Sequence, residues 1–336
     1  QGTASESVLV AMVSARQRAL DGMRVPGDER AAMNGKLIAY ASDQAHSSVV
    51  KAAMIAGIGR GNVRLIATDE TLAMDADALR AQMRRDTEDG LVPFFICATL
   101  GTTSTGAVDP IEEISRVNGG RAWLHVDAAY AGAAMVCEEH RWAMAGVEGV
   151  DSFNFNPHKW LLINFDCSCL WVRDRGALVE ALSITPEYLR NRQSDEKSVI
   201  DYRDWQIPLG RRFRALKMWF TMRHYGLSGM RSYIREHVRL AETFEKLVEN
   251  DDRFELAAPR RFSLVCFHLK SGDDATRALM ERLNETGAIF LTHTVIPFGV
   301  EDMYTIRFAV GATTVREEDI GRAWELIVAH ADRVAT

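Results

Sequence analysis

The stretch Asp151-Ser152-Phe153-Asn154-Phe155-Asn156-Pro157-His158-Lys159-Trp160 decides how this chain is read. Its first half is an apolar strand. Pro157 biases Asn156 away from the helical region and ends the ladder. Lys159 then stands in a turn just past the strand end, with a His before it and a Trp after. A lysine placed there and partly withdrawn from water has a lowered pKa and acts as an amine nucleophile toward a carbonyl. By default a lysine is a surface residue with its head in water. What sets this one apart is Asp127, 32 residues upstream (159 − 127), which ends a second hydrophobic run, Trp123-Leu124-His125-Val126.

Outward from this pair, strands alternate with helices. Towards the N-terminus, strands are expected at Leu37 to Ala41, Val63 to Ala67 and Val92 to Thr99, then at Trp123 to Val126 and Ser152 to Phe155, with another at Cys167 to Val172. Helices are expected from Gly2 to Met23 (capped by Ser5 or Ser7), up to about Ile58, from Asp75 to Glu88 and from Ile111 to Val117. This alternation argues for a mostly parallel sheet with helices on both faces. Ligands of such sheets bind at the carboxyl ends of the strands. His46, Thr103, Asp127 and Lys159 all fall at or just beyond such ends.

Leu182 to Pro208 breaks the pattern. Arg190 to Ser198 is polar and aperiodic, and long polar loops in compact domains are often active-site lids; the lid is read from about Arg190 to Asp204. Beyond it the sequence predicts helices at Arg212 to Tyr225 and Met230 to Glu249. Strands follow at Ser263 to Leu269, Ala288 to Thr292 and Tyr304 to Val310, with helices at Asp274 to Thr286 and Val315 to Val334. The division expected is a large α/β domain over 1–180, the lid and a connecting helix over 181–225, and a smaller α+β domain over 226–336.

A strand-end Asp followed by a strand-end Lys is the arrangement that a pyridoxal phosphate enzyme needs. The Lys anchors the cofactor covalently, and the Asp pairs with the protonated pyridine nitrogen and keeps the ring an electron sink. A strand-end carboxylate commonly caps a helix, but the placement of Asp127 paired with Lys159 makes that the lesser reading. His125 to Gly132 (His-Val-Asp-Ala-Ala-Tyr-Ala-Gly) and Asn154 to Trp160 (Asn-Phe-Asn-Pro-His-Lys-Trp) resemble the group II pyridoxal phosphate decarboxylases, and within these the aromatic-L-amino-acid decarboxylases. The likeness covers essentially the whole chain. It implies the fold-type I transferase architecture, a homodimer, and release of CO2 from an aromatic L-amino acid to leave the amine. It also implies a substantial N-terminal segment ahead of Gln1, one that packs across the dimer and lines part of the substrate pocket.

The resemblance assigns roles residue by residue. Lys159 is the cofactor-binding lysine and Asp127 the pyridinium partner. Ala4 and Ser5 match the phosphate-binding pair, at a helix start whose free amides suit an anion. His46, in Ser-Asp-Gln-Ala-His-Ser-Ser, matches the residue that stacks on the cofactor ring. Thr103, Ala129 and Asn156 match cofactor contacts, although Thr103 and Asn156 read equally as turn residues. His158 either reaches the phosphate or orients Lys159. Phe165 lines the substrate-ring pocket or belongs to the core. Tyr202 matches a lid phenol that returns a proton to the α-carbon. Relatives that make aldehydes have Phe in place of this Tyr or Asn in place of the His, so the presence of both favours simple decarboxylation. Histidine decarboxylases, aldehyde synthases and catalytically silent relatives are the rival readings. Arg307 sits on a strand, where it meets a carboxylate or forms a structural ion pair.

The 336 residues carry a net charge of −6, which argues against a nucleic-acid partner. No apolar run reaches ~18 residues, so no membrane span is expected. Five cysteines without framework spacing fit a reducing cytoplasm. Cys167 and Cys169 are read as core and no metal site is expected.

Overall fold

A computed structural model describes residues 1–184, 200–298 and 301–334. The central sheet contains β1 (Leu37–Ser42), β2 (Val63–Ile66), β3 (Val92–Thr99), β4 (Trp123–Asp127), β5 (Ser152–Phe155) and β6 (Cys169–Val172), in the order β2-β1-β3-β4-β5-β6. The first five strands are parallel and β6 runs antiparallel to β5. Parallel strands joined by crossover helices are covered on both faces, which is why β3 reads as one apolar run with no polar alternation. Alternate residues of β1 divide between two cores, as the period of a strand requires. Leu37 and Ala39 pack with Val8 and Met12 of α1 (Ala4–Gly22) and with Ala52 of α3 (Ser48–Ile55). Ile38 and Tyr40 pack with Leu79 and Met83 of α4 (Ala76–Glu88) and Ile114 of α5 (Ile111–Asn118). A short helix, α2 (Arg30–Met33), lies in the loop before β1.

The chain then forms α6 (Pro157–Trp160), α7 (Arg175–Leu182) and the long α8 (Arg214–Glu249). A second sheet follows, of β7 (Phe254–Leu256), β8 (Leu264–Leu269), β9 (Thr292–Phe298) and β10 (Glu301–Ala309), antiparallel in the order β7-β8-β10-β9. It has its own core, in which Phe244 of α8 stacks on Phe308 at 3.7 Å. Leu279 and Leu283 of α9 (Asp273–Glu285) and Ile320 and Ile327 of α10 (Glu317–Ala331) close that core.

Several expectations need correction. The cap of α1 is Thr3, whose hydroxyl accepts from Glu6 N at 3.3 Å, and neither Ser5 nor Ser7. Lys159 lies in a single helical turn with Pro157 at its start, where a missing N–H costs nothing. The two helices expected after the lid are present as the two arms of α8, which meet at the non-helical Gly226, φ 62° and ψ 176°. The strand expected at Ala288 to Thr292 begins at Thr292 instead, and pairing with β10 carries it through Pro297. Proline is tolerated there because β9 is an edge strand. Residues 185–199, which hold most of the segment read as a lid, lie outside the described residues. Among the described residues no helix is long and apolar enough to cross a membrane.

Candidate active site

Three elements converge at the carboxyl end of the central sheet. The start of α1 presents the amides of Ala4 and Ser5, which lie in the first turn and have no acceptor within the helix. β4 delivers Asp127, 4 % exposed. Its Oδ1 accepts from Ala129 N at 3.0 Å and from Asn154 Nδ2 at 3.2 Å. β5 runs into α6, where Lys159 N donates to Asn156 O at 3.0 Å and fixes the turn that carries the amine.

One cavity of about 190 Å³ joins these elements. Of the residues singled out from the sequence, Ala4, Ser5, His46, Thr103, Asp127, Ala129, Asn156, His158, Lys159 and Phe165 line it. Tyr202 does not. It starts a short turn, Tyr202–Trp205, half exposed, with its ring 5.3 Å from Trp205 and the Arg211 guanidinium over its face. Phe165 is 70 % exposed, so it is no part of the core. His158 Nδ1 accepts from Cys167 N at 2.8 Å and its ring meets the Phe165 edge. That bond fixes the ring beside Lys159. Among the described residues Arg307 meets no carboxylate; its Nε donates to Ser104 O at 3.0 Å and so braces the loop that carries Thr103.

The cavity shapes its own electrostatics. Lys159 is open to solvent through the cleft, yet the protein around its amine lowers the pKa by desolvation. Nearby Asp127 opposes that shift and Arg307 adds to it. A lowered pKa raises the share of neutral, nucleophilic amine. His46 is likewise lowered, by burial first and then by Lys159. Its Nδ1 accepts from Ser48 N at 3.1 Å.

Sequence reading missed four lining residues, Thr3, Thr99, Gly101 and Tyr130. Gly101 has φ 84°, and a Cβ on it would stand 2.6 Å from that of Ala131. The Gly101-Thr102-Thr103 turn could have flagged it. Tyr130 stacks on Trp160 at 5.0 Å and shares a hydrogen bond with Ser263 at 2.7 Å, a contact 133 residues away that no local signal announces.

Pyridoxal phosphate needs an anion site for its phosphate, a carboxylate for its ring nitrogen and an amine for its aldehyde. The cavity wall holds all three. It also holds two buried oxygens with no partner among the described residues, Asn156 Oδ1 and Thr99 Oγ1. Buried polar atoms are normally paired, so these fit a ligand that completes them. A larger groove of about 570 Å³, walled by Phe153, Phe155 and Trp171, has the carboxylates Glu148 and Asp151 on its lining but no lysine or histidine.

Comparison with known proteins points to the same cofactor. Residues 1–270 match the pyridoxal-dependent decarboxylase conserved domain. Tryptophan decarboxylase 2 of Oryza sativa subsp. japonica is 48 % identical over 99 % of this chain and 67 % of its own length. Phenylacetaldehyde synthase of Arabidopsis thaliana is 45 % identical over 97 % of this chain and 67 % of its own. The crystal structure of Oryza sativa TDC with PLP and tryptamine superposes with a TM-score of 0.95 at 44 % identity, covering 100 % of this chain and 70 % of that one. The chain thus spans about two thirds of the length of the relatives it matches.

Proposed function

The chain belongs to the pyridoxal-dependent decarboxylase family, and on that premise we propose that it forms the core of an enzyme that converts an aromatic L-amino acid to its amine and CO2. The observation that carries this reading is the cavity that unites Lys159, Asp127 and the α1 amides. When bound, the cofactor supplies an electron sink for the pair left on the α-carbon as CO2 departs. Lys159 Nζ holds the cofactor aldehyde. Asp127 Oδ2, on which no hydrogen bond falls among the described residues, holds the proton at the ring nitrogen. The amides of Ala4 and Ser5 bind the phosphate, with the helix dipole favouring an anion. Asn156 and Thr103 fix the cofactor edge, Ala129 supports Asp127 through its amide, and His46 stacks on the ring. His158 orients the Lys159 turn, and Phe165 meets the aromatic side chain of the substrate.

Tyr202 Oη is assigned to return a proton to the α-carbon. Its place outside the cavity means that it arrives by movement of the Asp201–Trp205 segment or from a second copy. A homodimer is part of the proposal. Phe213, Leu216, Trp219, Phe220 and Met222, at the start of α8, are exposed, and such apolar surface favours burial against a partner. The two sheets, each with its own core, support a cofactor-binding unit and a smaller C-terminal unit. Five free cysteines fit a cytoplasmic setting.

The test is a panel of aromatic amino acids and histidine with the full-length protein, reading CO2, amine and aldehyde, beside Lys159→Ala. Amine equal to CO2 from an aromatic substrate, lost in the variant, supports the reading. Aldehyde would turn it to the synthase that one relative's name carries, and no product at all to a silent relative. An active monomer in sedimentation would remove the dimer.

A further inference from the structure

The pocket accounts for Asp127 but not for the polar residues buried behind it. Trp123, His125, Ser152 and Asn154 are each at most 2 % exposed. Strand geometry brings them together. Trp123, His125 and Asp127 share one face of β4, and the register sets His125 beside Ser152 and Asp127 beside Asn154. Their contacts form one line. Trp123 Nε1 donates to Ser152 Oγ at 2.7 Å, and Ser152 Oγ lies 2.7 Å from His125 Nδ1. His125 Nε2 lies 2.8 Å from Asn154 Oδ1, and Asn154 Nδ2 donates to Asp127 Oδ1 at 3.2 Å.

The two ends fix the direction of every hydrogen between them. An indole N–H only donates and a carboxylate only accepts. Asn154 therefore turns its amide nitrogen to Asp127 and its oxygen to His125. That oxygen can only accept, so His125 carries its hydrogen on Nε2. Nδ1 is then bare and accepts from the Ser152 hydroxyl, whose oxygen accepts from Trp123. The opposite tautomer would set two acceptors against each other at Asn154 and leave the Ser152 hydrogen without this partner. Burial pushes the His125 pKa down to about 4, so the ring is neutral near pH 7 and offers one donor and one acceptor, as the line requires.

We propose that Trp123, Ser152, His125 and Asn154 form a directional hydrogen-bond line that clamps Asp127 Oδ1 and leaves Oδ2 turned to the cofactor's ring nitrogen. It rests on the reading of the cavity as a pyridoxal phosphate site. Asn154 is the positioning residue in contact with Asp127, and His125 and Ser152 act through it. Without the line, the Asp127 carboxylate keeps one donor among the described residues, Ala129 N, and loses the second hydrogen bond that fixes its orientation.

The first test needs no variant. In full-length protein labelled with ¹⁵N-histidine, with and without pyridoxal phosphate, His125 should resonate as the Nε2–H tautomer with a bare Nδ1. An Nδ1–H tautomer or a charged ring near pH 7 overturns the proposal whether or not cofactor binds. The second test is Ser152→Ala, remote from the cavity. It should give mixed His125 tautomers, an altered absorbance of bound cofactor, and a kcat lowered on the order of tenfold with little change in KM. Ser152→Thr, which keeps the hydroxyl, should restore all three. A folded Ser152→Ala with unchanged kcat and spectrum overturns the proposal. If that variant fails to fold, the wild-type tautomer still decides. A wild type that does not bind pyridoxal phosphate, seen by absorbance alone, removes the premise and the proposal with it.

Discussion

At the residue scale, the chemistry rests on a carboxylate and an amine whose types and places were legible before any fold was known. Each ends a hydrophobic run, and a strand end is where an α/β sheet opens to ligands. Replacing Asp127 by Asn keeps the size but removes the charge that favours a protonated ring nitrogen. Asp127→Asn should therefore retain much of the cofactor, seen by absorbance, and lose turnover on the order of 10²-fold; unchanged turnover would refute the pairing. Tyr202→Phe should bind substrate yet give little amine, with carbonyl product in its place. The measurement is amine and aldehyde per CO2 released, and wild-type amine output would show that another group donates the proton. Residues such as Thr99 and Tyr130 were not legible. Their importance comes from a buried oxygen with no partner among the described residues and from a hydrogen bond to Ser263, and both depend on the finished fold.

At the scale of elements, the start of α1 carries the phosphate assignment. Ser5 lies in the first turn and faces the cavity. Ser5→Asp would put a carboxylate where the amides await an anion, so cofactor affinity should fall at least tenfold in an absorbance titration, from like-charge repulsion at close range. An unchanged Kd would place the phosphate elsewhere. The central strands were legible nearly to the residue, since buried parallel strands are long apolar runs with few competing readings. The second sheet was less so. β7 is three residues long and β9 contains Pro297, so neither offers a local pattern strong enough to stand without its neighbours. The break near Gly226 between the two arms of α8 was legible too, because a glycine interrupts the apolar pattern where the backbone leaves the helical region.

At the scale of the whole molecule, a buried carboxylate ties the sheet to the segment before α4. Asp109 is 1 % exposed and accepts from Met74 N and Thr99 N, both at 2.7 Å. Burial pushes its pKa up to about 6 from 3.8. A carboxyl whose folded pKa is raised binds its proton more tightly folded than unfolded. Its contribution is therefore fully present below about pH 4 and is lost as pH rises through about 6. In urea unfolding, wild type should lose stability relative to Asp109→Asn across that window, and a constant difference between the two would contradict the assignment. The central claim is that one cavity, built by α1, β4 and α6, holds pyridoxal phosphate through Lys159. Its most direct test is to load the full-length protein with the cofactor, reduce it with borohydride and map the peptide that carries the phosphopyridoxyl group. The account predicts the label on Lys159 alone; a label on another lysine, or none, would contradict it.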